Sequence, residues 1–229
     1  MKKVKLAVIP AGGLGSRLSD LGKKIPKGMI TLGEQTIIEE SILQLQSIGV
    51  EEIIIVTGHL HKCYEQLFSK SNLPVRLVFN PYYKTLGSMY SLYLIKDIID
   101  KEFILVESDV IYEKTALTDI INSPFENIIL ISEVCHNLDC MFVQTNNGVL
   151  INMSKDKNKL GKEITGRYTG IFLFSKSLFS ALIELTEPMF TANIDVAHGT
   201  ILRNVIKTID IHCVITKSKC IEIDDLNEN

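Results

Sequence analysis

The sequence predicts an α/β fold built around a largely parallel sheet, and three observations carry that expectation. Short apolar runs alternate with amphipathic segments through the first half of the chain. This is the pattern of strand–helix–strand units joined by right-handed crossovers. The first run breaks into a glycine-rich turn, Ala11-Gly12-Gly13-Leu14-Gly15, and a later one stops at Glu107-Ser108-Asp109. In an open parallel sheet, the turns that follow strands share the carboxyl edge, where ligands bind.

The first strand is the apolar run Val4 to Ile9, buried on both faces. Gly12, Gly13 and Gly15 then leave backbone N–H groups unobstructed, so the chain can wrap a phosphate closely. Arg17 and Lys27, the latter in Ile25-Pro26-Lys27, add positive charge. Together these describe a polyphosphate site; a tight turn beside a structural Arg is the plainer alternative. Met29 to Leu32 is a short apolar segment ending at Gly33-Glu34-Gln35. Thr36 with Glu39 forms a capping box for a helix whose inner face carries Ile37, Ser41, Leu45 and Ile48, ending at Gly49. Ile53 to Val56 is the second strong strand, His61 to Phe68 a helix after the Gly58-His59 turn, and Val75 to Phe79 the third strand.

Asn80-Pro81 ends that strand. Gly87-Ser88 opens a helix predicted to reach about Asp97, with Ser88 as N-cap. Its first N–H groups suit a base or phosphate, or the helix is an ordinary capped one. Phe103 to Val106 is a buried strand, and Asp109 just past its end is a candidate Mg²⁺ ligand because the glycine loop shares that edge. Ile128 to Ser132 is a further strand. Met141 to Gln144 and Val149 to Asn152, joined through Asn146-Asn147-Gly148, read as a hairpin, so the second half becomes more antiparallel. Residues 154–159 form a polar, basic loop. Tyr168-Thr169-Gly170 leads into a strand, Ile171 to Phe174, and Ser175 caps a helix to about Leu185. Asp195 precedes a helix through Leu202 and Val205. Ile211 to Ile215 and Cys220 to Ile223 are the last strands, the second ending at Asp224-Asp225.

Composition narrows the function. With 229 residues, no linker and no internal repeat, the chain is expected to form a single domain, 1–229. A net charge of −3 gives no nucleic-acid footprint. No apolar run reaches the ~18–20 residues of a membrane span. The run after Met1-Lys2-Lys3 is too short for a signal-peptide core. Five scattered cysteines without a C-x-x-C suggest reduced thiols and a cytoplasmic protein. Cys135-His136 with Asp139-Cys140 could hold a metal, but a strand edge with small buried thiols explains them more simply. Oligomeric state is open, a homodimer included.

The glycine pattern is neither of the two commonest phosphate motifs. Leu18 stands where a dinucleotide fingerprint needs its third glycine, and Gly22-Lys23-Lys24 lacks the hydroxyl residue of a Walker A loop. What remains, Gly13-x-Gly15-Ser16-Arg17-Leu18 followed by Pro26-Lys27, with Asp109 and Asp224, resembles the nucleotidyltransferase superfamily along nearly the whole chain. The closer resemblance is to the small cytidylyltransferases that activate phosphocholine or 2-aminoethylphosphonate, and the stretches Gly87 to Tyr93, Glu107 to Tyr112, Ile151 to Lys155 and Glu222 to Asp225 look most like the aminoethylphosphonate branch. The resemblance implies a Rossmann-like three-layer fold with a mostly parallel mixed sheet, CTP and a small phosphonate or phosphate as substrates, and Mg²⁺ as cofactor. In the implied roles, Ala11, Gly12, Gly13, Gly15 and Ser16, with Arg17 and Lys27, hold the triphosphate. Gly87 and Ser88 meet the base, Asp109 and Asp224 share Mg²⁺, and Lys155 meets the phosphonate. Tyr168 with Asp195 or Asp139 meets the acceptor's ammonium. Pro10 departs from the small residue usual before the loop and cannot donate an N–H. Phosphocholine, or a sugar, polyol or amino-acid phosphate, is the runner-up acceptor. A non-catalytic nucleotide-binding regulatory protein is the alternative of another class.

Overall fold

A computed structural model of the chain describes residues 2–134, 140–161, 163–192, 194 and 198–223. The first strand is β1, Leu6–Ala11. After it come α1, Ser19–Gly22, and a two-residue hairpin pair, β2, Thr31–Leu32, and β3, Gln35–Thr36. Then follow α2, Ile37–Ser47; β4, Glu52–Thr57; α3, His61–Phe68; β5, Val75–Phe79; and α4, Ser88–Leu94. Next are β6, Phe103–Val106; β7, Val110–Tyr112; α5, Lys114–Asn122; and β8, Ile128–Ser132. The second half adds β9, Phe142–Asn146; β10, Val149–Ser154; β11, Gly166–Phe174; α6, Lys176–Thr191; α7, His198–Val205; β12, His212–Ile215; and β13, Cys220–Glu222.

The main sheet has nine strands in the order β5-β4-β1-β6-β11-β8-β12-β10-β9. β5, β4, β1 and β6 pair in parallel, whereas β11 is antiparallel to both β6 and β8. The sheet is therefore mixed. Alternate side chains of β1 enter two cores. Leu6 and Val8 join Met89, Phe103, Phe172, Leu182 and Leu202 on one face, and Ala7, Ile9 and Ala11 join Ile38, Ile42, Leu117 and Ile120 on the other. Helices thus cover both faces, giving the three-layer Rossmann-like arrangement. Burying each such Leu or Ile contributes roughly 1.5–3 kcal/mol.

Most predicted elements are present, with several corrections. β1 starts and ends two residues later than the apolar run and contains Pro10. Its β6 side is paired only at Ala7 and Val8, so a proline beyond them interrupts no ladder there. The helix at 88 is capped by Gly87 rather than Ser88, has no side-chain cap hydrogen bond, and ends at Leu94 rather than near Asp97. Extended backbone at Gly87 turns the chain one residue earlier than the usual Ser cap preference indicates. α6 keeps its predicted cap, Ser175 Oγ accepting from the N–H of Leu178 at 3.1 Å, but passes Leu185 and carries Pro188 to end at Thr191. β11 begins at Gly166, so Tyr168 lies within a strand. α5 and β7 are additions, and α5 buries Ala116, Leu117, Ile120 and Ile121.

Candidate active site

Topology delivers the site. β1 and β6 are parallel neighbours, so the glycine loop after Ala11 and the acids after Val106 emerge at one edge. β11 runs the other way, with Ile171 opposite Val106, which sets Tyr168 to Gly170 beyond that same edge. The hairpin β9–β10 closes the side: Arg167 faces Phe142, and Phe142 faces Ser154, bringing Lys155 to the start of β11. β13 pairs with β7, and the N–H of Ile223 donates to the Asp109 carbonyl at 2.9 Å, which seats Glu222 beside Asp109.

The result is a cleft of about 480 Å³. Its walls include Ala11, Gly12, Gly13, Gly15, Arg17, Lys27, Gly87, Ser88, Asp109, Lys155 and Tyr168. All of these were singled out in the sequence, and the fold brings them together. Lys27 Nζ donates to Asp109 Oδ2 at 2.9 Å, and the two side chains are only 13% and 17% exposed, so solvent screens this pair weakly. Arg17 is looser, 3.9 Å from Glu222 and more than a third exposed. Gly28 fits here because a Cβ would stand 2.9 Å from the Ser108 carbonyl; the bare residue lets the segment after Lys27 press against the acid loop.

Glu107, Asp109 and Glu222 each present a carboxylate oxygen, all within 4.8 Å of one another. Three hard oxygen donors at that spacing suit a small divalent cation. Asp224, expected as Asp109's partner, lies outside the described residues, as do Asp195 and Asp139 and the side chain of Ser16. Glu107 and Glu222 were not assigned a role from sequence, although both sit at strand ends. The Tyr168 hydroxyl is pushed well above its ordinary pKa by burial and then by Glu107, Glu222 and Asp109, which marks how close it stands to the acids. Tyr64, beneath them, is pushed up by burial and by Asp109. At the other end, Asn80 anchors the loop before α4, accepting from the N–H of Tyr82 at 2.9 Å and donating to Ser91 Oγ at 3.2 Å. That anchor places Gly87 and Ser88 on the wall.

A glycine loop, cations and clustered acids thus meet at one sheet edge. The profile of the nucleotidyl transferase family matches residues 6–134, more than half of the sequence, and the chain belongs to that family. Among curated relatives, the choline-phosphate cytidylyltransferase of Streptococcus pneumoniae is 30% identical over 122 residues, 53% of this chain and 52% of that protein. The CMP-5'-(3-aminopropyl)phosphonate synthase of Streptomyces rubellomurinus is 27% identical over 158 residues, 68% of this chain and 25% of that protein. The chain thus spans about half the length of the first and a quarter of the second. The inositol-1-phosphate CTP transferase structure from T. maritima superposes with a TM-score of 0.83 at 18% identity, covering 98% of this chain and 91% of that one, a likeness of fold.

Proposed function

We propose that this protein is a CTP-dependent cytidylyltransferase that moves CMP onto a small phosphonate, 2-aminoethylphosphonate, with release of pyrophosphate. The observation that carries the reading is the meeting of Arg17, Lys27 and Lys155 with three carboxylates in one cleft under a glycine loop. Two of the relatives above are named for CMP transfer to a choline phosphate and for a CMP-phosphonate product.

The nucleophile in this reading is a phosphonate oxygen that is already largely anionic at neutral pH, so no strong general base is needed. The obstacle is repulsion between that anion and the triphosphate. The N–H groups of residues 11–15 cradle the triphosphate, and Arg17 and Lys27 stabilise the charge that develops on the departing pyrophosphate. Lys155 orients the attacking oxygen toward the α-phosphorus. The new bond joins that oxygen to phosphorus as the α–β phosphoanhydride bond breaks. Asp109, Glu107 and Glu222 would hold Mg²⁺, with Asp224 as the sequence-based candidate beside them. When bound, such an ion neutralises phosphoryl oxygens.

One observation favours the second acceptor, phosphocholine. Tyr168, Phe172 and Phe174 all line the cleft, together with Met141 and Met153. A quaternary ammonium has no N–H to satisfy and gains from aromatic faces, whereas a primary ammonium needs acceptors. Among the described residues, Cys63, Cys213 and Cys220 are reduced thiols, which fits a reducing compartment such as the cytoplasm. Among the described residues no helix is long and apolar enough to cross a membrane.

The test is a matrix of CTP, UTP and ATP against 2-aminoethylphosphonate, phosphocholine and a sugar phosphate, with Mg²⁺, scored by pyrophosphate release. Turnover confined to CTP with aminoethylphosphonate supports the first reading. CTP with phosphocholine alone replaces it by the second, and no release in any cell removes both.

A further inference from the structure

The glycine loop does not stand alone; it leaves β1 at Gly12 and folds back on itself at Gly22. Gly15 has a left-handed φ of +61°, and a Cβ on Gly22 would lie only 2.3 Å from the Gly15 carbonyl oxygen, so the two strands of the loop touch backbone to backbone. The Leu18 N–H donates to Gly15, and Lys24 and Ile25 donate to Leu21, so each half is locally turned. A direct link from the loop to the sheet is His59, just after β4. Its backbone N–H donates to the Gly12 carbonyl at 3.2 Å, and its Nε2 lies 3.0 Å from the Gly22 carbonyl oxygen. A carbonyl can only accept, so Nε2 carries the proton. His59 therefore grips both the departure and the return of the loop. Gly58 permits this: a Cβ there would stand 2.5 Å from Tyr83 Cβ and 2.8 Å from the Gly12 carbonyl oxygen.

We propose that His59 is a positioning residue that holds residues 12–22 in the shape that receives a nucleotide triphosphate, by bridging the two ends of the loop. The physical reason is preorganisation. An untethered glycine loop must lose backbone freedom when it closes on phosphate, and each residue so fixed costs about 1–2 kcal/mol. A loop already tied at both ends has lost much of it before the ligand arrives. His59 itself does not line the cleft among the residues described there, so its effect is exerted through the loop. The consequence for CTP rests on the cytidylyltransferase reading; the tether itself does not.

Three proteins test it: wild type, His59→Phe, which keeps a ring beside Tyr83 but has no donor, and His59→Gln, which returns an N–H at similar reach. Amide hydrogen exchange without ligand is compared over peptides spanning residues 12–24, and CTP affinity is measured by calorimetry. His59→Phe is expected to exchange faster in those peptides and to bind CTP roughly 3- to 10-fold more weakly, the effect of one net hydrogen bond. At saturating CTP its kcat and its KM for the acceptor stay at the wild-type level, and His59→Gln recovers most of the loss. Should His59→Phe fail to fold, His59→Asn, whose amide falls short of Gly22, takes its place. Wild-type exchange and affinity in the donorless variant overturn the proposal, as does an equal loss in the Gln variant. If wild type itself does not bind CTP, the substrate reading fails, and the exchange comparison alone decides the tether.

Discussion

Lys27 and Asp109 form a sheltered ion pair in the cleft. Its position couples the glycine-loop side to the acid side, so changing either partner disturbs both. Lys155 reaches the cleft from the hairpin instead, and Lys155→Ala is expected to raise the KM for the acceptor or lower kcat by about 10²–10³, as for a lost electrostatic donor. Its CTP affinity by calorimetry should stay within twofold or so. An unchanged rate would reduce residues 154–159 to solvated charge. Gly22→Ala should weaken CTP binding strongly while leaving far-ultraviolet circular dichroism intact, because the added methyl meets the Gly15 backbone rather than a flexible side chain. At this scale the motif singled out Arg17 and Lys27, and both line the cleft. It was silent on Glu107 and Glu222, because only the pairing of β13 with β7 brings them together.

The helices and strands show which local signals survive in three dimensions. Thr36 and Glu39 make the reciprocal capping box, with the Glu39 carboxylate accepting from the Thr36 N–H at 2.9 Å and Thr36 Oγ1 accepting from the Glu39 N–H at 3.3 Å. Thr36→Ala should therefore cost about 0.5–2 kcal/mol in urea denaturation, with no change in substrate KM values. Capping at Ser175 and the Asn147-Gly148 turn were legible for the same reason: a single residue's geometry decides them. α5 was overlooked although Ala116, Leu117, Ile120 and Ile121 carry helical spacing. No capping residue marks its start, since Glu113 makes no side-chain cap bond, and the short strand β7 runs directly into it. α4 was misjudged at its start because Gly87, not the adjacent serine, provides the extended residue.

Across the whole molecule, two apolar cores clamp one sheet, and the cleft opens where the parallel half meets the antiparallel β11. The alternation of β and α segments announced the first half. The order of strands in the second half was not legible, because β11 pairs with strands far away in sequence on both sides. Burial also sets a pH limit. It pushes the Cys213 thiol up to about 12 and the Cys220 thiol up to about 11. An unfolded thiol titrates near 8.5, so the folded state holds its protons more tightly. The associated stability is complete below about pH 8.5 and is lost as pH rises toward 11 and 12. Urea midpoints should be flat from pH 7 to 8 and fall by pH 10.5, less steeply in Cys213→Ala. A midpoint independent of pH in that window would contradict the raised thiols of half-buried Cys213 and buried Cys220.

The central claim, that opposed charges gathered at one sheet edge carry out CMP transfer, is tested most directly by Asp109→Asn. Pyrophosphate release from CTP in the presence of Mg²⁺ and the preferred acceptor should fall by at least about 10² relative to wild type, with the fold intact by far-ultraviolet circular dichroism. Turnover close to wild type in that variant would mean that the carboxylate facing Lys27 takes no part in the reaction.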